Sequence, residues 1–91
     1  MSPKFTLGDV VATPAALEAI EESNEQPSAY LDRHVQGDWG IVSAPDASLN
    51  DTALQDGTRI FSAYLLQSGV SIWIITEADR SATTVLLPDE Y

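Results

Sequence analysis

Two short stretches of this chain gather the residue types that acid–base chemistry requires. The first is "RHVQGDWG", residues 33–40, which contains the single histidine. His34, followed four residues later by Asp38, supplies a base and a carboxylate able to orient it. Gly37 interrupts the stretch, so helical spacing between the two cannot be assumed. A capping role accounts for the same residues. His34 in a last helical turn would face the C-terminal dipole, and Asp38 would bond the turn that follows. Trp39 reads as an anchor plugging the edge of the core, its indole N–H bonded, rather than as a stacking platform.

The second stretch is "TEADRSATT", residues 76–84. Glu77 and Asp79 offer an acid/base pair, and Arg80 offers a cation to hold an anion. Turn chemistry is the plainer explanation. Asp79 and Ser81 suit side-chain bonds to the backbone of a tight turn, and threonines suit strands. As a turn residue, Arg80 is expected to contribute under about 1 kcal/mol, the range of exposed pairs. Arg59 and Tyr64 form a third candidate, but their odd offset puts them on opposite faces of a strand. One histidine among scattered carboxylates is a poor zinc set, and no calcium-loop pattern, glycine-rich phosphate loop or nucleophile elbow occurs. No metal and no cofactor is expected.

Around these stretches, 91 residues make one domain, near the lower size limit for independent folding. The apolar fraction of 44% suits a globular chain. Cysteine is absent, which removes disulfides and thiolate chemistry and fits the cytoplasm. The opening "MSPKFTLGDVV" reads as neither a signal peptide nor a membrane span. Fourteen acidic residues against four basic ones give a net charge of −10. Such a chain repels phosphate backbones, so direct nucleic-acid binding is not expected. The densest acidic patch, "EAIEESNE", places Glu18, Glu21, Glu22 and Glu25 together. It serves solubility, or it faces a basic partner.

The elements that would position these residues are legible in outline. "FTLGDVVATP" reads as a short strand, with Phe5, Leu7 and Val11 its core candidates. Thr13 then caps a helix with Pro14 at its first position, and Ala16, Leu17 and Ile20 form the apolar stripe. That helix should end near Ser23. A second helix begins after Pro27, carries Tyr30, Leu31, His34 and Val35 on one face, and stops at Gly37. Asp46 or Ser48 would cap a short third helix carrying Leu49, Ala53 and Leu54, with Gly57 ending it. "TRIFSAYLL", "VSIWIITE" and "ATTVLLP" are three strands with short connections, hence an antiparallel meander. The middle strand is apolar on both faces, Ile72 and Ile74 on one and Trp73 and Ile75 on the other. It is therefore covered twice, or its second face serves association, self-association included. A buried Trp73 would cost about 3–5 kcal/mol on truncation to alanine. Pro88 stops the ladder. The expected fold is α+β, two or three helices packed on an antiparallel sheet in the order β-α-α-(α)-β-β-β.

The phrases "VVATPAALEAI", "DRHVQGDWG", "DGTRIFSAY" and "IWIITEADRSATTVLLPDEY" span most of the chain. In them it resembles a family of short bacterial proteins often labelled plasmid-related and sometimes labelled type I restriction subunits. The resemblance implies a bacterial origin and a link to mobile elements, and it assigns no functional residues. A restriction methyltransferase needs a glycine-rich cofactor turn that this chain lacks.

The reading leans away from an enzyme. It favours an acidic interaction protein whose partner is a basic, nucleic-acid-handling protein, engaged as a nucleic-acid mimic or an inhibitor of host defence. The element order is also similar to that of ribosome-dependent ribonuclease toxins, although those are usually basic. A third reading is a binder of a small anion or peptide, in a pocket between helix and sheet near Trp39 and Arg80.

Overall fold

The computed structural model describes residues 3–91. Strand β1 (Asp9–Ala12) leads into helices α1 (Pro14–Glu22), α2 (Pro27–Val35) and α3 (Ala44–Asp56). Strands β2 (Ile60–Leu65), β3 (Ser71–Thr76) and β4 (Ala82–Leu86) follow, and a 3₁₀ turn covers Pro88–Glu90. The α+β class, the helix count and the C-terminal meander agree with the sequence reading. The sheet is mixed rather than antiparallel throughout. Its order is β1-β4-β3-β2, and β1 runs parallel to β4. The three helices between β1 and the meander allow this: a long connection can bring the chain back in parallel, where a tight turn cannot.

Local chemistry explains most boundaries. Thr13 accepts the Ala16 N–H at 3.1 Å, Pro14 occupies the first turn, and α1 hands over to Ser23. Gly37, just beyond the end of α2, has a φ of 87°, which only glycine adopts without strain. The third helix starts earlier than expected. Ser43, not Asp46 or Ser48, accepts the Asp46 N–H, because Pro45 suits the first turn of a helix.

Three core assignments change. Val11 and Leu17 are 52% and 43% exposed. Phe5 and Leu7 are half-buried but precede the strand. Leu49 is 67% exposed, and Asn50 takes its place against the sheet. Asn50 accepts the Phe61 N–H at 3.0 Å and donates to the Phe61 carbonyl at 2.6 Å, replacing a missing neighbour strand. An apolar pattern could not signal this contact, since a buried asparagine is read as surface.

The face of the sheet toward the helices carries Ile60, Ser62 and Tyr64 from β2, Ile72, Ile74 and Thr76 from β3, and Thr83 and Val85 from β4, all buried. Two apolar clusters form there. One joins Ala16, Ile20 and Tyr30 to Tyr64, Ile72, Ile74 and Val85, and the other joins Trp39 and Ala53 to Ile60. Along β2 the clusters are separated by Ser62, a polar position. On the other face Trp73 is only half-buried, edged by Phe61 and by Tyr91. Its truncation should therefore cost less than the 3–5 kcal/mol of a fully buried ring.

The Asn50 contact gives a direct test. Asn50→Ala leaves both Phe61 backbone groups without partners and should cost about 2–4 kcal/mol by urea unfolding. Leu49→Ala, on the solvent side, should stay within about 0.5 kcal/mol. The reverse order would place the wrong face of α3 against the sheet.

Candidate functional site

The sequence candidates separate into three places. His34, Trp39 and Arg80 gather around the Phe5 ring. His34 meets it edge-on at 5.2 Å, Trp39 stacks at 6.3 Å, and the Arg80 guanidinium lies 5.7 Å from its centroid. Asp38, Glu77 and Asp79 remain at the surface. Arg59 lies on the opposite face of the sheet, and Tyr64 points into the core, as their odd offset requires.

His34 is fully buried and makes no contact with Asp38. Its Nδ1 lies 2.6 Å from Ser62 Oγ and its Nε2 lies 2.9 Å from Thr76 Oγ1. Thr76 Oγ1 is 2.8 Å from Thr83 Oγ1, and Thr83 donates to the Leu7 carbonyl at 2.8 Å. That carbonyl can only accept, so it sets the protons from Thr83 through His34 Nε2, and the neutral state of the buried ring then makes Nδ1 the acceptor. Thr83 gives its proton to Leu7, leaving Thr76 to donate to Thr83. Thr76 must then accept, so His34 is protonated on Nε2. Its Nδ1 accepts from Ser62. Every member is satisfied with a neutral imidazole. Burial, with a smaller contribution from the Arg80 charge, pushes His34 down to about 4. An imidazole this enclosed reaches no substrate. The arrangement is a buried polar connector, not a general base.

Asp38 serves elsewhere. It pairs with Arg33 at 2.7 Å, which holds its carboxyl below the usual range, and it accepts the Gly40 N–H at 3.2 Å. Its own carbonyl accepts the Tyr64 hydroxyl at 2.7 Å, and burial raises that phenol to about 12. Trp39 is buried and donates to Asp51 at 3.0 Å. It anchors the second apolar cluster.

The TEADRS stretch turns the β3–β4 hairpin. Asp79 accepts the Ser81 N–H at 3.0 Å, and Arg80 takes a left-handed φ of 62°. Arg80 pairs with no carboxylate. Its guanidinium donates to the carbonyls of Ala53 at 2.9 Å, Thr58 at 2.6 Å, Glu77 at 3.2 Å and Ala78 at 3.3 Å. It thus adds a second donor to the Ala53 carbonyl in the last turn of α3 and sits at the negative end of that helix. The hairpin-turn reading holds, but the side chain does more than that reading required: it is the donor to the Thr58 and Ala78 carbonyls, while those of Ala53 and Glu77 also accept backbone N–H groups.

The acidic patch divides as well. Glu18, Glu21 and Glu22 are exposed along α1. Glu25 is half-buried and bonded, accepting from Ser23 at 2.7 Å, from the Tyr30 hydroxyl, and from the Gln67 N–H at 3.1 Å. It ties the β2–β3 turn to the α1–α2 connection. Among the described residues, no group of histidine and carboxylate side chains is arranged to hold a metal. No described helix is long and apolar enough to cross a membrane.

On the outer sheet face, Asp46, Arg59, Phe61, Trp73, Ile75 and Tyr91 line an open hollow of about 210 Å³. Arg59 there donates to the Tyr91 hydroxyl and lies 5.6 Å from the centroid of its ring. Sequence reasoning missed Ser62. It places Thr76 and Thr83 in the TEADRSATT stretch and Phe5 in the core, without their link to His34. Inward strand positions held by serine and threonine were the available signal for a polar core. Comparison with known proteins returned no matching family model, curated protein or solved structure.

Two measurements test the internal roles. His34 has a folded pKa below its unfolded value of about 6.5, so the unfolded chain binds the proton more readily between about pH 6.5 and 4. Stability should be fully present above pH 6.5. It should fall by on the order of 3 kcal/mol as pH drops toward 4. His34→Gln should begin less stable at pH 7 and show a shallower decline across that window in urea unfolding. A parent protein equally stable at pH 7 and pH 4.5 would contradict the buried neutral imidazole. Separately, Arg80→Ala should cost about 1.5–3 kcal/mol, as for bonds to a charged group. Arg80→Lys should recover less than half, because a point charge cannot span the Ala53 and Thr58 carbonyls.

Proposed function

We propose that this chain is a non-catalytic interaction protein of the bacterial cytoplasm whose acidic surface engages a basic protein partner. The observation that carries the reading is the disposition of charge. Arg33–Asp38 is the one ion pair among the described residues. Arg80 is turned onto backbone carbonyls and Arg59 onto Tyr91. Glu18, Glu21 and Glu22 stand exposed on one helix, with no ion pair to any of them among the described residues. A surface so charged accelerates encounter with a cationic partner and disfavours phosphate backbones. The resemblance to plasmid-related proteins supports a partner that handles nucleic acid and a role on a mobile element, with the acidic surface standing in for a nucleic acid or blocking a defence protein. The histidine and arginine that acid–base chemistry would use are both engaged internally, which favours binding over catalysis.

A second reading takes the outer hollow as a site for a small anion held by Arg59 against Trp73 and Tyr91. Asp46 on the same rim repels an anion, so the first reading is preferred.

Replacing Glu18, Glu21 and Glu22 with Gln should leave the melting temperature within a few degrees of the parent. It should also lower capture of basic proteins from a bacterial lysate at low salt. Parent capture should itself fall as salt rises. Equal capture by mutant and parent would contradict the reading. Glu25 is left in place because it holds the fold.

A further inference from the structure

The two edges of the sheet are treated differently. Beyond β2, Asn50 pairs with both backbone groups of Phe61. Ala63 donates to the Trp39 carbonyl at 3.2 Å and its own carbonyl accepts from Ile41 at 2.7 Å. That edge is closed along Phe61 and Ala63, and among the described residues only its last position, Leu65, has no outward backbone partner. The β1 edge is open. Asp9 and Thr13 direct their N–H groups to Ser81 and Val85, on the β4 side. Backbone groups alternate along a strand, so the N–H and C=O of Val10 and Ala12 point away from the sheet. Val10 shares the helix side with Thr83, and Val11 shares the outer side with Thr84. Both remain about half exposed, at 45% and 52%. Open edges with exposed apolar residues are what folded proteins ordinarily cover or charge with lysine.

The charge at this edge is negative. Asp9 begins β1. Gly8 packs against the Arg80–Ser81 backbone, so the hairpin turn bearing Glu77 and Asp79 adjoins the start of β1. At the far end Glu90 accepts from Thr13 at 2.6 Å, with Asp89 next to it. Arg80, the cation of that turn, is directed at carbonyls. A second copy of the chain would bring carboxylates to carboxylates, and its own net charge of −10 opposes it.

We infer that the β1 edge, around Val10–Ala12, receives an extended segment of a partner by strand addition. That segment carries apolar residues flanked by lysine or arginine. The inference rests on the basic-partner reading and gives it a location. Strand addition supplies main-chain bonds through Val10 and Ala12, the valines supply apolar contact on both faces, and the flanking acids select the sign of the ligand. Only two residues present free groups, so the charges must contribute to affinity.

The test uses a seven-residue synthetic peptide of alternating threonine and valine with a lysine at each end. A second peptide has glutamate at the ends, and a third is the lysine form N-methylated at alternate residues. The full chain is followed by amide hydrogen exchange and NMR shifts at low salt. The lysine peptide should slow exchange at Val10 and Ala12 at least tenfold and leave Val11 unchanged. The glutamate peptide should not protect them, and N-methylation should weaken binding at least tenfold without altering the protein. Val10→Pro, which removes an outward N–H together with the valine side chain, should lose at least as much. Lysine-peptide shifts confined to α1 would overturn the edge site while leaving the acidic-surface reading standing. Equal protection by both charged peptides would overturn the basic ligand and that reading together. Concentration-dependent protection without peptide would overturn the proposal in favour of self-pairing.

Discussion

The chain of hydroxyls and imidazole from Ser62 through His34, Thr76 and Thr83 to the Leu7 carbonyl is the constraint on which the rest of this small fold depends. It links α2, all three meander strands and the segment before β1 in a region closed to water. Each member uses its neighbour's only suitable partner. Removing one hydroxyl would strand a buried group, and the low local dielectric makes that costly. The same property gives the core direction. Apolar contacts alone tolerate sliding, whereas a polar chain ending at one carbonyl accepts a single register of α2 against the sheet. Ser62 on β2 also separates the two apolar clusters, so the connector marks where they meet.

Charge is partitioned with similar economy. The arginines are engaged in structure. Arg33 pairs with Asp38 and lies 4.7 Å from the Tyr64 ring centroid, Arg80 adds a donor at the end of α3, and Arg59 rests on Tyr91. Most carboxylates have no such role, Glu25 being an exception. A net charge of −10 is thereby displayed rather than neutralised. The edges of the sheet follow a parallel division, one sealed by Asn50 and the 39–41 segment, the other bounded by acids.

Local signals were reliable where local physics decides. Thr13 and Pro14 start a helix because one hydroxyl and one fixed φ suffice, and Gly57 ends another because it adopts a left-handed φ of 72°. The meander followed from β-branched runs joined by short polar turns. The site candidates were legible as residue types but not as partners. His34 and Asp38 are four residues apart yet bond to different groups, and Arg80 looked like a turn residue because its acceptors, Ala53 and Thr58, lie over twenty residues away.

By itself, then, the sequence determined the α+β class, the capped start of α1, the glycine end of α3, the three-stranded meander and the strong negative charge, since each depends on neighbours in the chain or on composition. The tertiary structure alone decided that β1 runs parallel to β4, that Asn50 rather than Leu49 faces the sheet, that His34 is a buried neutral connector, and that Arg80 donates to the end of a helix. Those outcomes depend on groups distant in sequence competing for the same buried donors and acceptors. No local periodicity records which of them meet.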